Sequence, residues 1–151
     1  MLTFEKFNYS MEISAGLVIK YNDRLLLAHP TRASWVGTYS FPKGKVEEGE
    51  TNLNAAIRET KEEVGLIIPE EWINKEEKII NYTKNGKTYK RVHYFIVNLT
   101  EDQKKLLFGD SMELPKDKLQ LDEVDFAGLL MKEDAEKRIF WRFAELLELI
   151  Q

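Results

Sequence analysis

The sequence predicts an α/β domain, a mixed β-sheet covered by helices, and three features carry that prediction. Apolar and β-branched runs bounded by turn residues recur along the chain. Two segments, 51–64 and 132–150, switch to a helical period. Strands and helices then follow one another in the order that folds as a sheet with helices packed on it. At 151 residues the chain fits one domain, 1–151, and is too short for two independent cores. Hydrophobic residues make up 43%, enough to fill that one core.

The elements follow in order. Ile13 to Tyr21 is apolar and β-branched, Asn22-Asp23-Arg24 turns the chain, and Leu25-Leu26-Leu27-Ala28 returns it: strand, turn, strand. His29 to Thr38 is a loop holding Pro30, Trp35 and Gly37. An extended piece, Tyr39-Ser40-Phe41, stops at Pro42, which has no N–H to give a ladder. The helix Thr51 to Val64 has an N-cap in Thr51 and a left-handed C′ residue in Gly65. Placed on a wheel at ~100° per residue, its Leu53, Ala56, Ile57, Thr60 and Val64 share a core-facing arc. Glu77 to Thr83 and Lys87 to Leu99 read as strands joined at Asn85-Gly86, a strong hairpin signal. Thr100 to Leu121 is ambiguous. Val124 to Met131 is a last strand. Lys132 to Ile150 reads as an amphipathic helix with Ala135, Ile139, Phe143, Leu146 and Ile150 along one stripe.

Composition narrows the function. Lys+Arg number 22 and Asp+Glu 26, a net charge of −4. No global attraction draws such a chain to nucleic acid or an anionic membrane, so a polyphosphate partner is held by local groups or by a metal. With 0 cysteines there is no disulfide scaffold, no thiolate nucleophile and no Cys-ligated zinc or iron–sulfur site. His29 and His93 are the only histidines, so carboxylates are the abundant ligand type, and they suit Mg²⁺, Mn²⁺ or Ca²⁺. The first ten residues include Glu5 and Lys6 and lack a signal-peptide core, and no apolar run nears the ~20 residues that cross a bilayer. The expected location is the cytoplasm.

Glu59, Glu62 and Glu63 occupy a separate arc of the first helix at i, i+3 and i+4, where their carboxylates can converge on one point. Like charges at these spacings repel by about 0.2–0.5 kcal/mol per pair. The helix C-terminus disfavours anions by about a further 0.3–1 kcal/mol. Arg58 can reach Glu62, whereas Lys61 points to the opposite side. A hard divalent cation relieves such a cluster; a solvated acidic face is the alternative. Upstream, Gly44 permits a tight turn and close approach of a ligand, and Glu50 is placed to fix Arg58 by a charge-assisted bond.

Gly44, five residues, Glu50, seven residues, then Arg58-Glu59-Thr60-Lys61-Glu62-Glu63-Val64-Gly65-Leu66 resembles the Nudix box. Every fixed glycine and charged position of that pattern is filled, and Leu66 supplies the final apolar one. The departure is Thr60, where the pattern has an aliphatic residue; its methyl still faces the core arc. The resemblance implies an α/β/α sandwich that hydrolyses a nucleoside diphosphate linked to another group, with Mg²⁺ or Mn²⁺. It implies metal ligands in Glu59, Glu62 and Glu63, joined by the Gly44 carbonyl, with Arg58 and Glu50 orienting them. Glu63 is the favoured general base; Glu123 and Asp125, near the last strand, are alternatives outside the box.

For the substrate, Lys43 and Lys45 flank Gly44 and either contact phosphate or form a solvated pair, and Arg32 is a similar candidate. Trp35 is a loop anchor or a stacking platform. Tyr82, Tyr89, His93 and Tyr94 lie along the hairpin, either in cross-strand packing or against a purine. Family members that cleave dinucleoside polyphosphates tend to carry a tyrosine shortly beyond the box, and ADP-ribose cleavers a proline. Tyr82 lies 16 residues after Leu66, and no proline falls between Glu70 and Glu113. The resemblance therefore leans to dinucleoside polyphosphates, with ADP-ribose, an NTP, or a silent nucleotide sensor as alternatives. Trp141, off the apolar stripe, marks either a homodimer contact or the cap of a sheet edge.

Overall fold

A computed structural model describes residues 11–149. The N-terminal segment considered for a leader and the last stripe position, Ile150, lie outside the described residues. Six strands form one sheet: β1 (Glu12–Tyr21), β2 (Arg24–Pro30), β3 (Lys43–Lys45), β4 (Ile73–Lys84), β5 (Lys87–Asn98) and β6 (Val124–Met131). Their order is β4-β5-β1-β2-β6, with β3 also pairing β1. β1 and β5 run parallel from Glu12↔Lys90 to Lys20↔Asn98, and the other pairings are antiparallel, so the sheet is mixed as expected. The free edge of β1 is shared: Ser14 to Gly16 pair with β3, and Lys20 and Tyr21 with β2.

Alternation along the strands feeds two cores. On one face Leu17, Ile19, Leu26 and Phe95 pack with Ala55, Ala56 and Val64 of helix α1 (Asn52–Val64). On the other, Val18, Leu25, Leu27 and Tyr94 pack with Ala135, Ile139, Phe143 and Leu146 of the C-terminal segment. The arrangement is a helix–sheet–helix sandwich. No helix among the described residues is long and apolar enough to cross a membrane.

Local signals explain most elements. The Thr51 hydroxyl accepts the Asn54 N–H at 3.0 Å, and Gly65, at φ 76°, closes α1 by donating to the Lys61 carbonyl. Thr60 is fully buried and returns its hydroxyl to the Ala56 carbonyl at 2.8 Å, so its polar group is satisfied within the helix. Asn85 and Gly86, at φ 53° and 78°, make the tight turn of the hairpin. Within the ambiguous stretch, Thr100 and Gln103 form a reciprocal capping box that starts α2 (Glu101–Phe108).

Three expectations are corrected. The C-terminal segment is not one helix: α3 (Lys132–Arg138) ends early, Ile139 is extended, and 3₁₀ turns follow from Trp141 to Leu149. The backbone of the loop before β3 competes for this segment. Thr38 and Tyr39 donate to the Arg138 carbonyl, and Phe140 donates to the Tyr39 carbonyl. The stripe Ala135, Ile139, Phe143 and Leu146 is buried nonetheless. Second, the extended piece ends before Pro42 as expected, but Lys43 to Lys45 then form a separate strand, β3, on β1, so Gly44 lies in a strand rather than a turn. Third, β4 begins at Ile73, four residues before the expected strand, with its register interrupted between Asn74 and Lys78.

Candidate active site

Arg58, on α1, organises the site. Its Nε and Nη2 donate to the two oxygens of Glu50 at 2.7 and 3.0 Å, a bidentate pair. Nη2 also donates to the Lys45 carbonyl at 3.0 Å, which ties the helix to β3. Nη1 donates to Glu59 at 2.9 Å and to both oxygens of Glu62 at 3.3 Å. The Glu62 contact is the one the helix spacing predicts; the shorter one, to adjacent Glu59, is not. Arg58, with the Glu47 N–H, holds the Glu50 carboxyl below the usual carboxylate range.

Gly44 faces Glu59 across this junction. A Cβ built on Gly44 would fall inside the Glu59 carboxylate, so glycine is needed for close approach in a strand of ordinary conformation. Burial raises the Glu59 carboxyl, against the pull of Arg58. Glu63 turns toward β3, where its Oε1 accepts the Lys43 N–H at 3.4 Å. Burial pushes its carboxyl up to about 8, although Lys43 opposes the shift. Burial, and then Lys90, push the Lys43 ammonium down. Desolvation thus outweighs attraction for both members of this pair.

The three carboxylates keep separate partners here. Glu59 and Glu62 share Arg58, Glu63 is held by the β3 backbone, and no three acidic or histidine side chains among the described residues form a ready metal set. The donor chemistry still fits a hard divalent cation. Three carboxylates on adjoining turns and the backbone carbonyl of a half-buried glycine offer only oxygen, and Gly44 leaves room beside Glu59.

The two acids outside the box separate. Glu123 bears electrostatically on both Glu59 and Glu63. Its loop is docked on α1, because Gln120 donates to the Glu63 carbonyl at 3.0 Å and Glu123 to that of Gln120 at 2.8 Å. Asp125 is engaged elsewhere, its Oδ1 lying 2.5 Å from Nδ1 of buried His29. Trp35 stacks on the same imidazole at 3.5 Å, so it anchors its loop.

Of the substrate candidates, Lys43 adjoins the carboxylates, and its ammonium lies 5.8 Å from the Phe143 ring centroid. Lys45 is exposed and contributes its carbonyl to Arg58. Arg32 is exposed at φ 69° on the loop after β2, and among the described residues no hydrogen bond or ion pair joins it to the site. Tyr82 packs edge-to-face with Tyr89, under the Lys90 ammonium at 5.2 Å and the Arg142 guanidinium at 4.4 Å. His93 lies against Glu77 at 2.7 Å. Tyr94 is fully buried between Phe41 and Phe143. Its hydroxyl has no partner among the described residues, and the charges bearing on it are those of Tyr82 and Glu63. Sequence reasoning did not single out Lys90 or Arg142. Lys90 is the cross-strand partner of Tyr82 only because the register shifts between Tyr82 and Thr83.

A family model described as NUDIX domain matches residues 11–140. Over 88 residues the chain is 30% identical to mRNA-decapping enzyme subunit 2 of Saccharomyces cerevisiae, covering 58% of this chain and 9% of that protein. Over 57 residues it is 35% identical to 8-oxo-dGTP diphosphatase of Proteus vulgaris, covering 37% of this chain and 51% of that protein. It therefore spans under a tenth and about half of these relatives. Among solved structures, a binary complex of C. elegans Ap4A hydrolase matches with a TM-score of 0.60 at 26% identity, covering 91% of this chain and 98% of that one.

Proposed function

The chain belongs to the NUDIX domain family, and on that premise we propose that it is a divalent-metal-dependent hydrolase of a phosphoanhydride bond in nucleoside diphosphates linked to a second group, with dinucleoside polyphosphates as its preferred class. The observation that carries this reading is the seat that Gly44 leaves for Glu59, beside an arginine fixed by Glu50. A glycine with no room for a side chain and an arginine spent on three carboxylates have a stronger rationale in a cation site than on a solvated surface.

Glu59, Glu62 and Glu63, with the Gly44 carbonyl, are the groups that would hold Mg²⁺ or Mn²⁺. When bound, such an ion neutralises phosphate oxygens and acidifies water. Arg58 keeps Glu59 and Glu62 in place, and Glu50 keeps Arg58 in place. Glu63 is the first choice for the proton acceptor, since it sits on the turn of α1 beside Glu59 and faces β3 next to Gly44. Glu123 is the second, through its influence on the same carboxylates.

The substrate class is supported by what adjoins the acids. Lys43 and Lys90 supply positive charge and Tyr82 an aromatic ring. A polyphosphate chain carrying a base complements all of them. Similarity to the C. elegans enzyme over most of both chains supports the same class. We place the reaction in the cytoplasm.

The test is a panel of diadenosine tetraphosphate, ADP-ribose and nucleoside triphosphates, incubated with Mg²⁺ or Mn²⁺ and analysed for products. The expected outcome is nucleotide release chiefly from the tetraphosphate, abolished by Glu62→Gln with circular dichroism unchanged. Faster cleavage of ADP-ribose or a triphosphate would replace the substrate class. Absence of product from every compound would replace the hydrolase with a nucleotide sensor.

A further inference from the structure

Arg142 lies outside the box and outside the strands and α-helices, yet its side chain is placed with care. Its guanidinium carbon sits 4.4 Å from the Tyr82 ring centroid and 4.5 Å from that of Trp141. Among the described residues, no carboxylate or carbonyl accepts any of its N–H groups. An arginine held by two rings keeps its planar fork oriented, and with its donors unspent among the described residues it is suited to bidentate capture of a phosphate.

The neighbouring charges give it a direction. Lys90 lies over the same Tyr82 ring and pairs with Glu12 at 3.6 Å. Lys43 lies within electrostatic influence of Lys90, Glu63, Glu12 and Glu59. Lys43 and Lys90 thus bear on one another, and Lys90 and Arg142 share the Tyr82 ring with Glu12 beside them, in a chain whose net charge is −4. Like charges gathered so closely call for a polyanion.

We propose that Arg142 is a specificity-determining residue that binds a phosphate remote from the bond being broken, and so selects substrates with more than two phosphates. This rests on the dinucleoside polyphosphate reading. In that arrangement Lys43 serves the phosphates next to the carboxylates, Lys90 the middle of the chain, and Arg142 its far part. Tyr82 holds the two outer cations in place.

The experiment compares wild type, Arg142→Ala and Arg142→Lys. KM and kcat are measured with Mg²⁺ on diadenosine tetraphosphate and on ADP-ribose. Inorganic tripolyphosphate binding is measured by calorimetry in the same buffer. Arg142→Ala is expected to raise KM for the tetraphosphate about tenfold with kcat unchanged, to leave ADP-ribose unaffected and to weaken tripolyphosphate binding about tenfold. Arg142→Lys is expected to recover part of the binding, since it keeps the charge and loses the fork. Unchanged constants for the tetraphosphate, or an equal loss on both substrates, would overturn the proposal while leaving the hydrolase reading intact. If wild type cleaves neither compound, the hydrolase reading falls, and the calorimetry alone decides Arg142: tenfold weaker binding supports it and equal binding overturns it.

Discussion

Gly44 and Glu59 compete for one space: a Cβ on the first would fall inside the carboxylate of the second. This joins β3 to α1 at the point where Arg58 also bridges them, and it makes the glycine a condition for the acidic group. Gly44→Ala is therefore expected to displace Glu59, to lower activity about 10–100-fold as loss of a ligand-orienting contact does, and to cost about 1–3 kcal/mol through overpacking. Steady-state kinetics with urea denaturation checks both figures.

Removing the charge of Glu50 should act at a distance. Glu50→Gln frees Arg58 to pair more closely with Glu59 and Glu62, in competition with a cation. Activity at limiting Mg²⁺ is expected to fall about 10–100-fold, with partial recovery at high Mg²⁺. The stability loss, about 1–2 kcal/mol, is that of a charge-assisted hydrogen bond near the surface. A Mg²⁺ titration of rate for both proteins checks this.

The helix bearing this site was legible in the sequence because its boundaries are set locally, by Thr51 and Gly65. The Arg58–Glu50 pair was legible for a similar reason, as its partners are eight residues apart. β3 was not, since Lys43-Gly44-Lys45 has no apolar alternation and becomes a strand only through pairing with distant β1. The C-terminal stripe revealed which side chains are buried. Its break at Ile139 depends on backbone groups of Thr38 and Tyr39, a hundred residues away. Lys90 was hidden by an irregular register, and Arg142 by having no local motif.

The two acids near β6 are expected to differ sharply. Glu123→Gln should lower kcat, because Glu123 acts on Glu59 and Glu63. Asp125→Asn should leave kcat within about twofold and cost about 1–3 kcal/mol, the value of a hydrogen bond to a charged group. Kinetics and thermal denaturation of the two variants separate the roles.

Stability of the chelator-treated protein should respond to pH through carboxylates shifted in opposite directions, of which Glu63 and Glu50 are the clearest. Glu63 is pushed up to about 8 from 4.5, so between these values the folded state binds more protons than the unfolded one, and stability falls as pH rises. Glu50 is pushed down, so its contribution is present above 4.5 and is lost as pH falls through its depressed value. Urea denaturation at pH 5.5 and 8 should show wild type weaker at pH 8, with the difference reduced in Glu63→Gln.

The most direct measurement is Mn²⁺ binding followed by electron paramagnetic resonance, on wild type and on Glu59→Gln, Glu62→Gln and Glu63→Gln. Wild type is expected to bind the ion, and each substitution to weaken binding about tenfold or more. Failure of wild type to bind, or equal affinity in all four proteins, would contradict a cation site built from these carboxylates.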